Sequence, residues 1–281
     1  MAHLTDQPGG PAPAQPVRAV PAATRRSGLP GTLLSEFTKL RSVRSTWITL
    51  AVFFVASVVI AVLAAAGDRR NSGQAQFDPA RDSLAGMLYL GMLVIGATGV
   101  LAIASEYGTR MIATSLTAMP RRAVLYAAKA IALACVTLVV ALVTAVTSFF
   151  AGQAAVASTH AGASITSPGT LRALLLATLF VPCFALVAFG LGAVIRHTAG
   201  AITAVFGLVF LLPMILGAFP ASWSNALGRW LPDNTVLLQI VAAKPTGQHD
   251  LFGPYGELAV FAGYAVIALA AGAMAFCRRD A

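Results

Sequence analysis

Six apolar runs constrain this sequence more than any other feature, at about 46–66, 83–104, 123–150, 171–195, 198–218 and 256–277. About 20 apolar residues rising 1.5 Å each cross the ~30 Å hydrocarbon layer of a bilayer. Inside that layer a helix satisfies its own backbone hydrogen bonds, which irregular chain cannot do. The chain therefore reads as an all-α polytopic membrane protein with six transmembrane helices. A large soluble helical protein would carry polar stripes along its helices, and most of these runs have none. A mean hydropathy of +0.80 agrees.

Only 10% of the residues are charged, so where they stand is informative. The net charge of +9 would suggest nucleic acid in a soluble protein. Here the basic residues flank apolar runs, and they read as orientation signals and contacts to anionic lipid. If both ends are cytoplasmic, thirteen of the nineteen Lys and Arg fall on inside segments and six outside, which predicts two cytoplasmic termini. Cys135, Cys183 and Cys277 lie within or at the end of apolar runs without C-x-x-C spacing, and read as packing residues.

Residues 1–30 are rich in Pro, Ala and Gly and show no apolar core of a cleavable signal, so a disordered cytoplasmic tail is expected. In the stretch GTLLSEFTKLRSVRSTW that follows, Leu33, Phe37 and Leu40 share one side of a helix, while Glu36, Lys39, Arg41 and Arg44 fall largely elsewhere. This predicts an N-terminal amphipathic helix lying at the inner membrane surface. The alternative is a plain basic flank continuous with the first span. Spans four and five are joined by RHTAG alone, which predicts a tight hairpin with Arg196 and His197 at its tip, His197 being a solvated loop residue. In the long outer segment 219–255, Trp223, Ala226, Leu227, Trp230 and Leu231 repeat at helical spacing, with Ser222 as N-cap and Pro232 as stop. A short interfacial helix anchored by Trp223 and Trp230 is expected there.

The spans hold almost no ionisable group: Lys129 is near the inner end of its run, and Arg172 and Glu257 are near outer ends. A charge at mid-membrane costs roughly 2.5 to 3.5 kcal/mol on insertion scales, so ion-coupled carriers keep one only where it works. No such relay is visible. Nor is there an H-E-x-x-H, a G-x-S-x-G or a facing carboxylate pair, which disfavours an intramembrane enzyme. The lysines follow Thr38, Ala128 and Ala243, so the G-K of a P-loop is missing; no metal or cofactor is expected in this chain.

Against that economy, residues 105–122 read SEYGTRMIATSLTAMPRR and place Glu106, Arg110, Arg121 and Arg122 in the first inside loop. Met111, Ile112, Leu116 and Met119 form an apolar strip at helical spacing, bracketed by Gly108 and Pro120. Spacing alone is equally consistent with a short amphipathic helix open to a soluble protein and with a basic loop that fixes topology.

Glu106, Tyr107, Gly108 and Thr109 at the exit of the second span, then Leu116, Pro120, Arg121 and Arg122, then Lys129 in the next span, follow an order that resembles the permease subunits of type-2 ATP-binding-cassette exporters. The entry stretch SEFTKLRSVRSTW and the outer WLPDN segment share the likeness. It is a likeness of pattern and order, without a strict fingerprint. The Ala- and Arg-rich style looks bacterial, which points to the plasma membrane. The resemblance implies a six-helix permease domain over residues 31–281, a homodimer or heterodimer of such subunits, and a separate cytoplasmic ATPase that binds ATP and Mg. It further implies that the loop, through Glu106, Tyr107, Gly108, Thr109, Arg110, Leu116, Arg121 and Arg122, is the coupling helix that docks on the ATPase. Export of an apolar or amphiphilic compound would follow. The competing reading is a non-transporting scaffold or sensor that recruits a cytoplasmic protein through the same loop.

Overall fold

The computed structural model describes residues 29–70, 78–108, 122–156, 164–220, 222, 230, 240–242 and 253–278. Six helical stretches among them are long and apolar enough to cross a membrane: Arg44–Gly67, Ala80–Ser105, Arg122–Val156, Thr170–Ile195, Thr198–Leu216 and Gly253–Arg278. All six expected spans are present. The elements are α1 (Leu29–Ser42), α2 (Arg44–Arg70), α3 (Pro79–Leu88), α4 (Leu90–Gly108), α5 (Arg122–Val156), α6 (Thr170–Ile195), α7 (Thr198–Phe206), a π-helical turn (Gly207–Leu211), α8 (Leu212–Leu216) and α9 (Gly253–Arg278).

Span four, α6, is the centre of the bundle and packs against α3, α4, α5, α7 and α9. Its Ala173, Ala177, Ala185, Ala188 and Ala193 are fully buried beside Phe180 and Phe189. Small residues let backbones approach where apolar lipid gives helices little hydrophobic reason to associate. Two glycines take this furthest. A Cβ on Gly99 of α4 would collide with the Ala185 carbonyl, and one on Gly190 of α6 would strike the Ala268 backbone of α9. Four hydroxyls buried in the spans turn back on their own helix: Ser57, Thr98, Thr144 and Thr178 each donate to the carbonyl four residues earlier.

Two spans depart from ideal rods, and a third from its expected length. The second breaks at Tyr89, whose ψ of −81° separates α3 from α4. Asp78 starts α3, its Oδ1 accepting from Ala80 N and Arg81 N at 3.1 Å each. The fifth span widens into a π turn over Gly207–Leu211 because Pro213 has no N–H to return to the preceding turn. The third span is longer than the expected 123–150 and continues to Val156, where Gln153 Nε2 donates to Ser83 Oγ at 3.5 Å and Gly152 abuts Ser83. At 35 residues it extends about 52 Å, well beyond the hydrocarbon layer.

The expected hairpin between spans four and five is there. Arg196 and His197 are its only non-helical residues; His197 is exposed and caps α7, its Nδ1 accepting from Gly200 N at 3.0 Å.

The entry helix α1 is present, as expected. Its buried residues are Thr32 and Glu36, Leu33 and Leu40 are half-buried, and Phe37 and Leu34 are exposed by 37% and 71%. The Glu36 carboxylate is turned into the bundle, while Leu34 and Phe37 stand on its outside. Cys135 and Cys277 are likewise exposed on the outside of the bundle; Cys183 is half-buried.

Candidate functional site

The residues singled out around the first inside loop divide at its edges. Thr109, Arg110, Leu116 and Arg121 lie outside the described residues, as does the apolar strip between them. Glu106 and Gly108 belong to the last turn of α4, Tyr107 is half-buried there, and Arg122 opens α5. The two stems of the loop are thus in view, and each is held by side chains from elsewhere in the chain.

The entry stem is held through Tyr107. Arg196, the C-cap of α6, sets its guanidinium carbon 5.0 Å from the centre of the Tyr107 ring. Its Nη2 donates to the Ala275 carbonyl at 2.7 Å. That carbonyl is one of the last four of α9, which have no partner within the helix, and a cation suits the negative end of the helix dipole. The Phe276 ring stands edge-on to Tyr107 with centroids 6.5 Å apart. Spans two, four and six are therefore joined at one point.

The exit stem is held through Tyr126 and Lys129, three residues apart and so on one face of α5. Tyr126 packs its ring 5.0 Å from Phe189 and 5.6 Å from Phe276, and its hydroxyl donates to the Leu269 carbonyl at 3.1 Å. Gly272 leaves the space for that hydroxyl, since a Cβ there would collide with it. One turn further along, Lys129 Nζ meets Glu36 Oε2 at 2.9 Å, with only 3% and 11% of the two side chains exposed. Lys129 stands about 10 Å along α5 from Arg122. A lone ammonium buried there would be costly, which accounts for the inward turn of Glu36.

Phe276 touches both tyrosines, so the stems share one cluster built from α4, α5, α6 and α9, with α1 attached through its carboxylate. Sequence reasoning missed Tyr126, Phe189 and Phe276, whose aromatic rings in apolar runs carry no signal of their own. It also missed the partner of Lys129. A signal existed for the latter: a lysine within a span calls for a counter-charge.

The α1, α4, α5 and α6 members of this cluster lie within a stretch of known kind. The profile of a family described as ABC-2 family transporter protein matches residues 32–206, more than half of the 281-residue chain, from α1 through the first inside loop to α7. The chain belongs to the ABC-2 transporter family. No curated protein matches it. As an ABC-2 protein it is a membrane permease of an ABC transporter, a kind of subunit that generally works with a cytoplasmic ATPase.

At the opposite end of this ABC-2 permease, Trp223 lies outside the described residues, and Ser222 is itself helical, where an N-cap was expected. Trp230 is about half exposed, and its carbonyl accepts from the Tyr264 hydroxyl of α9. Ile240, Val241 and Ala242 of the same outer segment are buried, and the Ala242 carbonyl receives Arg172 Nη2 at 2.9 Å.

Proposed function

We propose that this permease couples ATP hydrolysis on a separate cytoplasmic ATPase to export of an apolar or amphiphilic compound. In this reading ATP and Mg are bound by the partner, residues 105–122 are the docking surface, and the permease pairs with a second copy or a related subunit. Both termini face the cytoplasm of a bacterial cell. The observation that carries the reading is the shared anchoring of the loop stems: Tyr107 and Tyr126 both meet Phe276, and Arg196 adds span four. A push on the loop's stems then reaches four spans through packed rings and a half-buried guanidinium. Such coupling requires packed groups with two discrete arrangements, and a cluster at the helix ends can supply them.

The test is purification of the tagged permease with its ATPase, followed by ATP turnover with and without the permease. Turnover that depends on the permease supports the proposal. An ATPase that binds yet turns over at the same rate alone would place the chain with scaffolds.

A further inference from the structure

The corner between the entry helix and the first span forms an apolar groove of about 360 Å³, lined in part by Leu34, Phe37, Leu40, Trp47, Leu50 and Val136. Its floor is Leu50, only 3% exposed; its rim is Leu34, Phe37 and Trp47, all exposed. Arg41 lines its mouth, and Arg44 is exposed at the same corner. The corner is fixed: Val43 alone separates the two helices, and Trp47 Nε1 donates to the Arg41 carbonyl at 3.0 Å.

We infer that this groove seats an anionic phospholipid, its phosphate at Arg41 and the start of an acyl chain running over Trp47 toward Leu50 and Val136. Three observations choose that occupant over a protein segment. The groove opens beside a run of exposed apolar residues, Ile48, Val52 and Val55, that face the bilayer. It descends only about 9 Å from Arg44 to Leu50, the depth from headgroup to upper acyl chain. Its charge is cationic only at the mouth, where the headgroup would be, and an indole tied into the corner is the residue type favoured at that level. The inference is independent of which soluble partner the loop takes.

The test uses the full-length permease with Trp223→Phe and Trp230→Phe, leaving Trp47 as its one indole, in phosphatidylcholine vesicles doped with brominated-chain phosphatidylglycerol or brominated-chain phosphatidylcholine. Bromine quenches an indole only at close range. The phosphatidylglycerol should associate with Trp47 about fivefold more strongly than the phosphatidylcholine, the effect of about one basic residue near a membrane surface. Arg41→Ala should bring the ratio to one, and Arg278→Ala, at the end of α9, should leave it unchanged. Equal quenching by the two lipids, quenching by neither, or a preference that survives Arg41→Ala overturns the inference. If the single-indole variant fails to fold, native mass spectrometry of the otherwise unchanged chain reads the same point: retained phosphatidylglycerol should fall about fivefold in Arg41→Ala, and equal retention overturns the assignment.

Discussion

The guanidinium of Arg196 covers the ring of Tyr107 at 5.0 Å while its own backbone sits in the left-handed region, at φ 59°. Among the described residues it is the only non-glycine with positive φ. Such a backbone costs of order 1 kcal/mol or more unless the side chain is glycine. Here the side chain offsets that strain by stacking on Tyr107 and bonding Ala275.

Replacing Arg196 separates the two effects. Arg196→Ala should lose both the contacts and the tolerance of the turn, whereas Arg196→Gly loses the contacts and relaxes the backbone. The glycine variant should therefore be the more stable of the two by about 1 kcal/mol, read as thermal aggregation in detergent. Equal stabilities would mean that the turn rearranges when the side chain is removed.

The buried pair Lys129–Glu36 predicts non-additive mutants. Lys129→Met leaves a buried carboxylate and Glu36→Met leaves a buried ammonium, each expected to lower stability by roughly 3 to 5 kcal/mol. The double variant removes both charges and should recover most of the loss. A double variant no better than either single one would show that the charges do not meet in the folded protein.

Topology follows from the distribution of basic residues and is open to direct measurement. Reporter fusions near residues 75, 160 and 245 should report the outside, and those near 115, 198 and 281 the cytoplasm. An outside signal near 115 would remove the loop from reach of any cytoplasmic ATPase.

If residues 105–122 dock on an ATPase, Glu106→Lys and Arg110→Glu should leave membrane insertion intact and weaken retention of the ATPase in a pull-down. Losing one partner of a buried interfacial charge pair typically costs roughly 2 to 5 kcal/mol, and reversal adds repulsion. Arg25→Glu in the N-terminal tail is the matched control and should change little. Full retention and transport in both loop variants would leave those charges with a topological role alone.

The spans were legible in the sequence because membrane insertion selects on length and hydropathy, both local properties. What helix periodicity cannot tell is which face meets which neighbour. It grouped Leu33, Phe37 and Leu40 on one side of α1, but the side that packs on α5 is decided by Lys129, a residue 93 positions away. The break at Tyr89 carries no proline and depends on how α3 and α4 meet α2 and α6. Pro213 was visible, yet a proline alone does not distinguish a kink from the π turn that forms. At the candidate site, the loop's charges stood out against an apolar background. The rings that hold its stems did not, since a Phe or Tyr in a membrane run looks the same whether it faces lipid or a neighbouring helix.

The 93 positions between Glu36 and Lys129 also set an order of events at the ribosome. At 5 to 20 residues per second, the lysine follows the glutamate by roughly 5 to 20 s. During that interval the entry helix has been made, the first two spans are emerging, and the carboxylate is without the partner it has in the folded protein. It must wait in the aqueous boundary until the third span arrives. The seating of α1 therefore marks the completion of the N-terminal half, and a chain that stalls before its third span carries an unseated helix by which quality control could tell it from a finished one.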